Sequence, residues 1–202
     1  MATNSGFRRW PTTAFAFYER LGRDNTKSFW TTNKATYDDD VVAPMQALSA
    51  AVADDFGPLH LFRPYRDVRF SKEKVPYKDH QGAITESEGG TQYYVQLSAD
   101  GVMVGGGMHT FASDQLERFR AAVDDVTLAE QLDAAAAAVR KAGFTISGEA
   151  LKTAPRGVPK DHHHVEWMRY KGMYAWKQLG TPAWMSTAKA LARITGAWRA
   201  TA

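Results

Sequence analysis

The densest collection of side chains able to do chemistry runs from Arg63 to Lys78: Arg63-Pro64-Tyr65-Arg66-Asp67-Val68-Arg69-Phe70-Ser71-Lys72-Glu73-Lys74-Val75-Pro76-Tyr77-Lys78. Guanidinium groups present a planar fork that matches carboxylate or phosphate, and ammonium groups supply a mobile point charge. Tyrosine adds a hydroxyl and a ring that can stack. Together these types point to a small anionic, possibly phosphorylated, ligand. Arg66, Arg69, Lys72 and Lys78 are the electrostatic contacts, Tyr77 shapes the site, and Asp67 orients an arginine. The competing reading is that the arginines pair with Asp67 or another carboxylate and the lysines are hydrated surface. If Tyr65–Phe70 is extended, Arg66 and Arg69 point to opposite faces unless a turn intervenes. A second basic collection holds Lys152, Arg156, Lys160, Arg169 and Lys171. Its loop Lys152-Thr153-Ala154-Pro155-Arg156-Gly157 can close over an anion held by the first band, so Lys152 and Arg156 join the ligand-binding set.

Other clusters carry less. Asp67 and His162 are acid/base candidates if the chain is instead a phosphoryl-transfer or hydrolytic enzyme. Consecutive His162-His163-His164 diverge in a helix or a strand, and no HExxH spacing accompanies them, so no metal site is expected. Asp38-Asp39-Asp40 diverge for the same reason. Gly105-Gly106-Gly107 matches neither GxGxxG nor a P-loop. A backbone nest for an anion, close backbone packing or a sheet bend all account for it. No nucleophile elbow occurs, and no cofactor is expected.

Charge is uneven along the 202 residues. The chain is formally +3, yet residues 81–150 hold ten acidic and four basic side chains, and residues 151–202 nine basic and two acidic. Such asymmetry can focus a positive potential if basic segments lie together, and it leaves nucleic-acid or protein binding without catalysis as a further alternative. The absence of cysteine excludes disulfides and thiolate sites. No apolar run is long enough to span a membrane, and no apolar stretch marks a signal peptide near Met1, so no membrane partner and a cytoplasmic location are expected.

The elements that must position these residues can be read in outline. A flexible stretch 1–11 is expected before one domain, 12–202. Thr12 or Thr13 caps a helix that Gly22 ends, Asn25 precedes a second helix, Pro44 ends or kinks it, and Met45–Phe56 forms a third. Leu59–Tyr65 reads as a strand. Tyr93, Val95 and Leu97 alternate with Tyr94, Gln96 and Ser98, and Asp100-Gly101 fits a two-residue type I′ hairpin before Val102-Met103-Val104. Helices follow around Leu116–Val123 and Leu128–Lys141, then a strand at Phe144-Thr145-Ile146. A short helix is expected at His164–Tyr170, and a C-terminal helix opens at Pro182. Helices, then strands, then both together indicate an α+β fold: a mixed or antiparallel sheet with a central hairpin, packed against helices from the N-terminal, middle and C-terminal parts.

Several segments resemble the uncharacterised DUF2461 family. Tyr65–Lys78 is similar to its YRDxRFSxDKxPYK signature, Tyr93-Tyr94-Val95 and Gly105-Gly106-Gly107 to its YYV and GGG elements. Lys152…Pro155-Arg156-Gly157 with Pro159…Asp161-His162 resembles its LKxxPxGxxxDHP region. Asn25…Phe29-Trp30…Lys34…Tyr37 resembles its amino-terminal NNxxWFxxxKxxY element, with the aromatic pair reversed. The resemblance implies one mostly α+β domain and brings no established activity.

Overall fold

A computed structural model describes residues 6–67, 69, 74–85 and 90–202. Six strands form one antiparallel sheet in the order β1 (Leu59–Leu61), β2 (His80–Thr85), β3 (Gln92–Ser98), β4 (Gly101–Met108), β6 (Met173–Gly180), β5 (Thr145–Ser147). Helices α1 (Thr12–Arg23), α2 (Lys27–Thr36), α3 (Ala43–Phe56) and α7 (Lys189–Arg199) share one core with the inward side chains of the sheet. Val95, Leu97, Val102 and Val104 are wholly buried there, beside Trp198, whose indole N–H donates to the Tyr94 carbonyl at 2.9 Å. Helices α4 (Ser113–Asp124), α5 (Val126–Lys141) and the single turn α6 (Val165–Met168) enclose a smaller cluster of Val123, Ala136, Trp167 and Met168. No described helix is long and apolar enough to cross a membrane. The α+β architecture is the one the element order implies.

Local details depart from the sequence reading for identifiable reasons. The central hairpin is present, but Ser98 pairs with Gly101, so Ala99 and Asp100 form the turn and only Gly101 has positive φ, at 100°. This is a turn with ordinary φ values followed by a glycine bulge, rather than type I′, which would need positive φ at both turn residues. Pro44 does not end the helical run, which continues through it into α3. A π-helical turn at Tyr37–Val42 precedes it, with the Ala43 N–H donating five residues back to Asp38, and this wider turn accommodates a ring that lacks a donor. Gly22 lies inside α1, which starts after Pro11 without a side-chain cap.

Thr26, not Asn25, caps α2 by accepting from the Phe29 N–H. Regular pairing in the first strand stops at Leu61, leaving Tyr65 in an isolated bridge. Pro182 precedes a 3-10 turn, Ala183–Ser186, and α7 begins only at Lys189. Packing also begins before Thr12: Phe7 and Trp10 are buried, and the Trp10 N–H donates to Met185 at 3.3 Å, within the stretch expected to be flexible.

Strands β2 and β6 are absent from the sequence reading, although β6 lies beside the hairpin. Its alternation, Tyr174 and Trp176 against Met173, Ala175 and Lys177, is the signal that identifies it.

Candidate functional site

The basic band is an arm folded back on itself. Tyr65 pairs with Tyr77 in an isolated antiparallel bridge; the Arg66 N–H donates to Pro76 at 2.9 Å and the Lys78 N–H to Pro64 at 2.7 Å. Pro76 fits because its carbonyl, not a missing N–H, serves the bridge. Asn25 fixes the arm to the helices. Its side-chain amide donates to the Tyr77 carbonyl at 3.1 Å and its Oδ1 accepts from the Tyr77 N–H at 3.2 Å, as a neighbouring strand would. The Tyr77 ring stacks on Trp30 with centroids 4.2 Å apart and planes 5° from parallel. Tyr77 is therefore buried packing on the helical side rather than a wall of a ligand site.

The arm separates its charges by role. Arg69 grips Asp67 through two contacts, Nη2 to Oδ2 at 2.7 Å and Nε to Oδ1 at 3.0 Å. These bonds, with one from the Arg69 backbone, hold the Asp67 carboxyl below the usual range. That opposes its use as a general base near neutrality. Arg66 meets Asp79 at 3.2 Å. For Asp79, burial works upward, but the His80 hydrogen bond, its own backbone N–H and the charges of His80 and Arg66 prevail and lower it. Lys78 is different. Burial, then the charges of Arg63 and Arg66, push its ammonium below the ordinary lysine value. Lys72 lies outside the described residues.

Lys78 lies against Phe62, one of the rings that line an aromatic trough on the sheet face turned away from α1, α3 and α7. Its Nζ is 5.4 Å from the Phe62 ring centroid, and Phe62 is 6.4 Å from Tyr94. The trough has a volume of about 520 Å³, within the range of small-molecule sites. Phe62, Ile84 and Tyr94 line one side, Tyr174 and Trp176 the other, and Met103 and Gly105–Gly107 the floor. Its lining also includes His109, stacked on Tyr174 with centroids 5.5 Å apart. Burial raises the Tyr94 phenol to about 12, so it is a neutral hydrogen-bonding group, and it donates to Gln96 at 2.8 Å.

The glycine run has a packing cause. A Cβ on Gly105 would lie 2.9 Å from the Ala175 carbonyl oxygen, and one on Gly106 would collide with Thr201. Gly107, at φ 136°, abuts the Met173 carbonyl and Tyr174. Close approach of β6 at Gly105 and Gly107, and of Thr201 at Gly106, thus leaves this stretch of the trough floor without side chains.

The second basic collection does not join the first. His80 at the arm is level with Ser98, Gly101 lies across from Ser98, and Val102 pairs with Gly180, at one end of the sheet. Lys152 follows the Ala150–Tyr170 bridge at the opposite end and the opposite edge. The ten residues separating Tyr170 from Gly180 correspond to about 30 Å along a strand. Lys152 and Arg156 are exposed there, Arg169 pairs with Glu166 at 2.9 Å, and Lys171 with Glu149.

His162 and His164 belong to the same lobe. His162 Nε2 contacts Asp124 at 3.1 Å and His164 Nδ1 contacts Asp133 at 3.4 Å; Trp167 also donates to Asp133, at 2.7 Å. They tie the α6 segment to α4 and α5. Among the described residues, no three His, Asp or Glu side chains are grouped to hold a metal.

Sequence reasoning singled out Lys78 and set Tyr94 on the face opposite Val95, and did not single out Phe62, Tyr174, Trp176 or His109 as lining residues. Recognition of β6 would have put Tyr174 and Trp176 on one face by alternation. Phe62 needs the fold, because it reaches over Gly82 only after β1 and β2 pair.

Fold and trough define a two-layer α+β protein with a ligand-sized pocket on one face of its sheet. The chain belongs to DUF2461, a family described as a conserved hypothetical protein, whose model matches residues 13–202. No curated protein and no solved structure matches it.

Proposed function

We propose that this protein binds a small anionic ligand in the sheet-face trough, with the anion at Lys78 and the positive potential reinforced by Arg66 and Arg63. The observation that carries the reading is the placement of Lys78. A lysine crowded by two arginines and partly withdrawn from water is held at a cost that an anion would relieve, and this one lies against Phe62, a ring that lines the aromatic pocket. Asp67 and Arg69 neutralise each other beside it, so their role is to shape the arm. Binding rather than turnover is favoured, because neither acid/base candidate is available to the trough: Asp67 is clamped by Arg69 with its carboxyl held low, and His162 sits in the α4–α6 lobe.

Isothermal titration with a panel of phosphorylated metabolites and nucleotides tests the reading. At least one should bind wild type and lose affinity by about tenfold in Lys78→Ala and in Arg66→Ala, as expected when a charge-assisted contact is removed. Equal, weak affinities for wild type and both variants across the panel would refute it.

A further inference from the structure

The trough also specifies what the anion is attached to. Tyr94 on β3 pairs with Gly105 on β4, and Gly105 pairs with Trp176 on β6, so two aromatic side chains flank a glycine in a single row across the sheet. Across two strand spacings, the Cα atoms of Tyr94 and Trp176 are about 10 Å apart. Both rings are drawn away from the middle strand. The Tyr94 hydroxyl reaches over Gly82, where an added Cβ would come within 2.6 Å of it. The Trp176 indole N–H donates to Ser147 on β5 at 3.1 Å. Between them the floor is bare peptide at Gly105 and Gly107, and a methionine, Met103, continues it.

A floor that is bare peptide at Gly105 and Gly107, between two aromatic walls, fits a plate better than a flexible chain. An alkyl chain would leave much of the width unfilled and would lose rotamer freedom on binding, whereas a rigid ring loses none. The row of rings also leads to the charge: Phe62 touches both Tyr94 and Lys78, so at most about 12 Å separates the Tyr94 ring from the ammonium.

Resting on the anion-binding reading above, we infer that the ligand is a planar fused-ring compound carrying its anionic group at one end. The ring system lies over Gly105 between Tyr94 and Trp176, and the anion meets Lys78. A nucleotide-like molecule and an aryl phosphate share this chemistry.

Calorimetric titrations with four probes separate the two readings: 1-naphthyl phosphate, octyl phosphate, inorganic phosphate and 1-naphthalenemethanol. Wild type should bind 1-naphthyl phosphate at least about tenfold more tightly than octyl phosphate, as aromatic stacking contributes. Trp176→Leu should remove that preference by weakening 1-naphthyl phosphate far more than octyl phosphate, and Lys78→Ala should weaken both phosphates alike. Tyr94→Leu, whose lost hydroxyl bonds only to Gln96 among the described residues, provides the same test should Trp176→Leu fail to fold. Equal affinity for naphthyl and octyl phosphates would overturn the ring inference and leave the anion reading intact. Binding of naphthalenemethanol as tightly as naphthyl phosphate would overturn the anion reading. No binding of either organic phosphate would overturn both. A mixture of adenosine and guanosine monophosphates added as competitor then distinguishes a nucleotide-like source from a simple aryl phosphate: displacement of the naphthyl probe supports the former, and its absence restricts the class to the latter.

Discussion

The two faces of this sheet are built from the same strands and have opposite fates. On the helix side Val95, Leu97, Val102, Val104 and Ala175 are buried against α1, α3 and α7. On the other side their immediate neighbours Tyr94, Met103 and Trp176 are half-exposed around a trough. Strand alternation supplies both sets, but only the helix side is closed by branched side chains meeting across a dry interface. The trough side pairs large aromatic residues with glycine, so the surfaces cannot interdigitate and a space persists. One face therefore maintains the fold, and the other is free to bind.

Substitutions should keep these roles apart. The largest effect is expected from Trp198→Ala, which empties a fully buried site and leaves the Tyr94 carbonyl without its indole donor. A loss of about 3–5 kcal/mol in chemical denaturation is expected. An unchanged midpoint would mean that the helix face does not carry the stability. Asn25→Ala comes next. Removing both bonds to the Tyr77 backbone should cost about 1–3 kcal/mol, and it should loosen the arm enough to weaken anion binding as well. A variant that lost stability but kept full affinity would separate the arm from the site.

Gly82→Ala tests the trough alone. The new methyl would lie 2.6 Å from the Tyr94 hydroxyl, the free end of a side chain that can swing aside. Stability should fall by less than about 1 kcal/mol, while affinity for 1-naphthyl phosphate should drop severalfold because Tyr94 is pushed towards Gly105. Calorimetry and thermal melts on one preparation distinguish the two effects.

The pH profile is a subtler probe. The Lys78 pKa is lowered on folding, so between that value and the unfolded lysine value the unfolded chain binds more protons, and Lys78's unfavourable contribution to stability diminishes as pH rises. A bound anion opposes this by favouring the ammonium. Affinity for 1-naphthalenesulfonate, whose charge does not titrate in this range, should therefore fall as pH rises through the lowered Lys78 pKa. In Lys78→Ala that dependence should vanish. The smallest effect is expected from Asp67→Asn: its carboxylate pairs with the exposed Arg69, and melting temperature should not move measurably.

Several features of the site were legible before any coordinates. Alternation put Tyr94 and Val95 on opposite faces, because strand periodicity is independent of tertiary context; the helices decided which face is covered. Residue types alone marked Lys78 as a candidate anion contact. Other assignments depended on distant partners. Asn25 lies just before the Thr26 cap of α2, and its amide is spent on Tyr77, 52 residues away. Tyr77 carries the hydroxyl of a binding residue and the stacking of a core residue, and Trp30 decides between them. The trough required β6, whose strand signal was overlooked, and the pairing that sets Trp176 opposite Gly105.

Local chemistry in the chain was sufficient to determine the α+β class, most helices, the central hairpin and family membership, since propensity, periodicity and motif order act over a few residues. Only the tertiary structure decided where the cations lie. Lys78 and Lys152 have the same side chain, but strand order and register put one beside an aromatic pocket and the other exposed at the far corner of the sheet. Electrostatic potential depends on separation in space, and sequence fixes separation only along the chain.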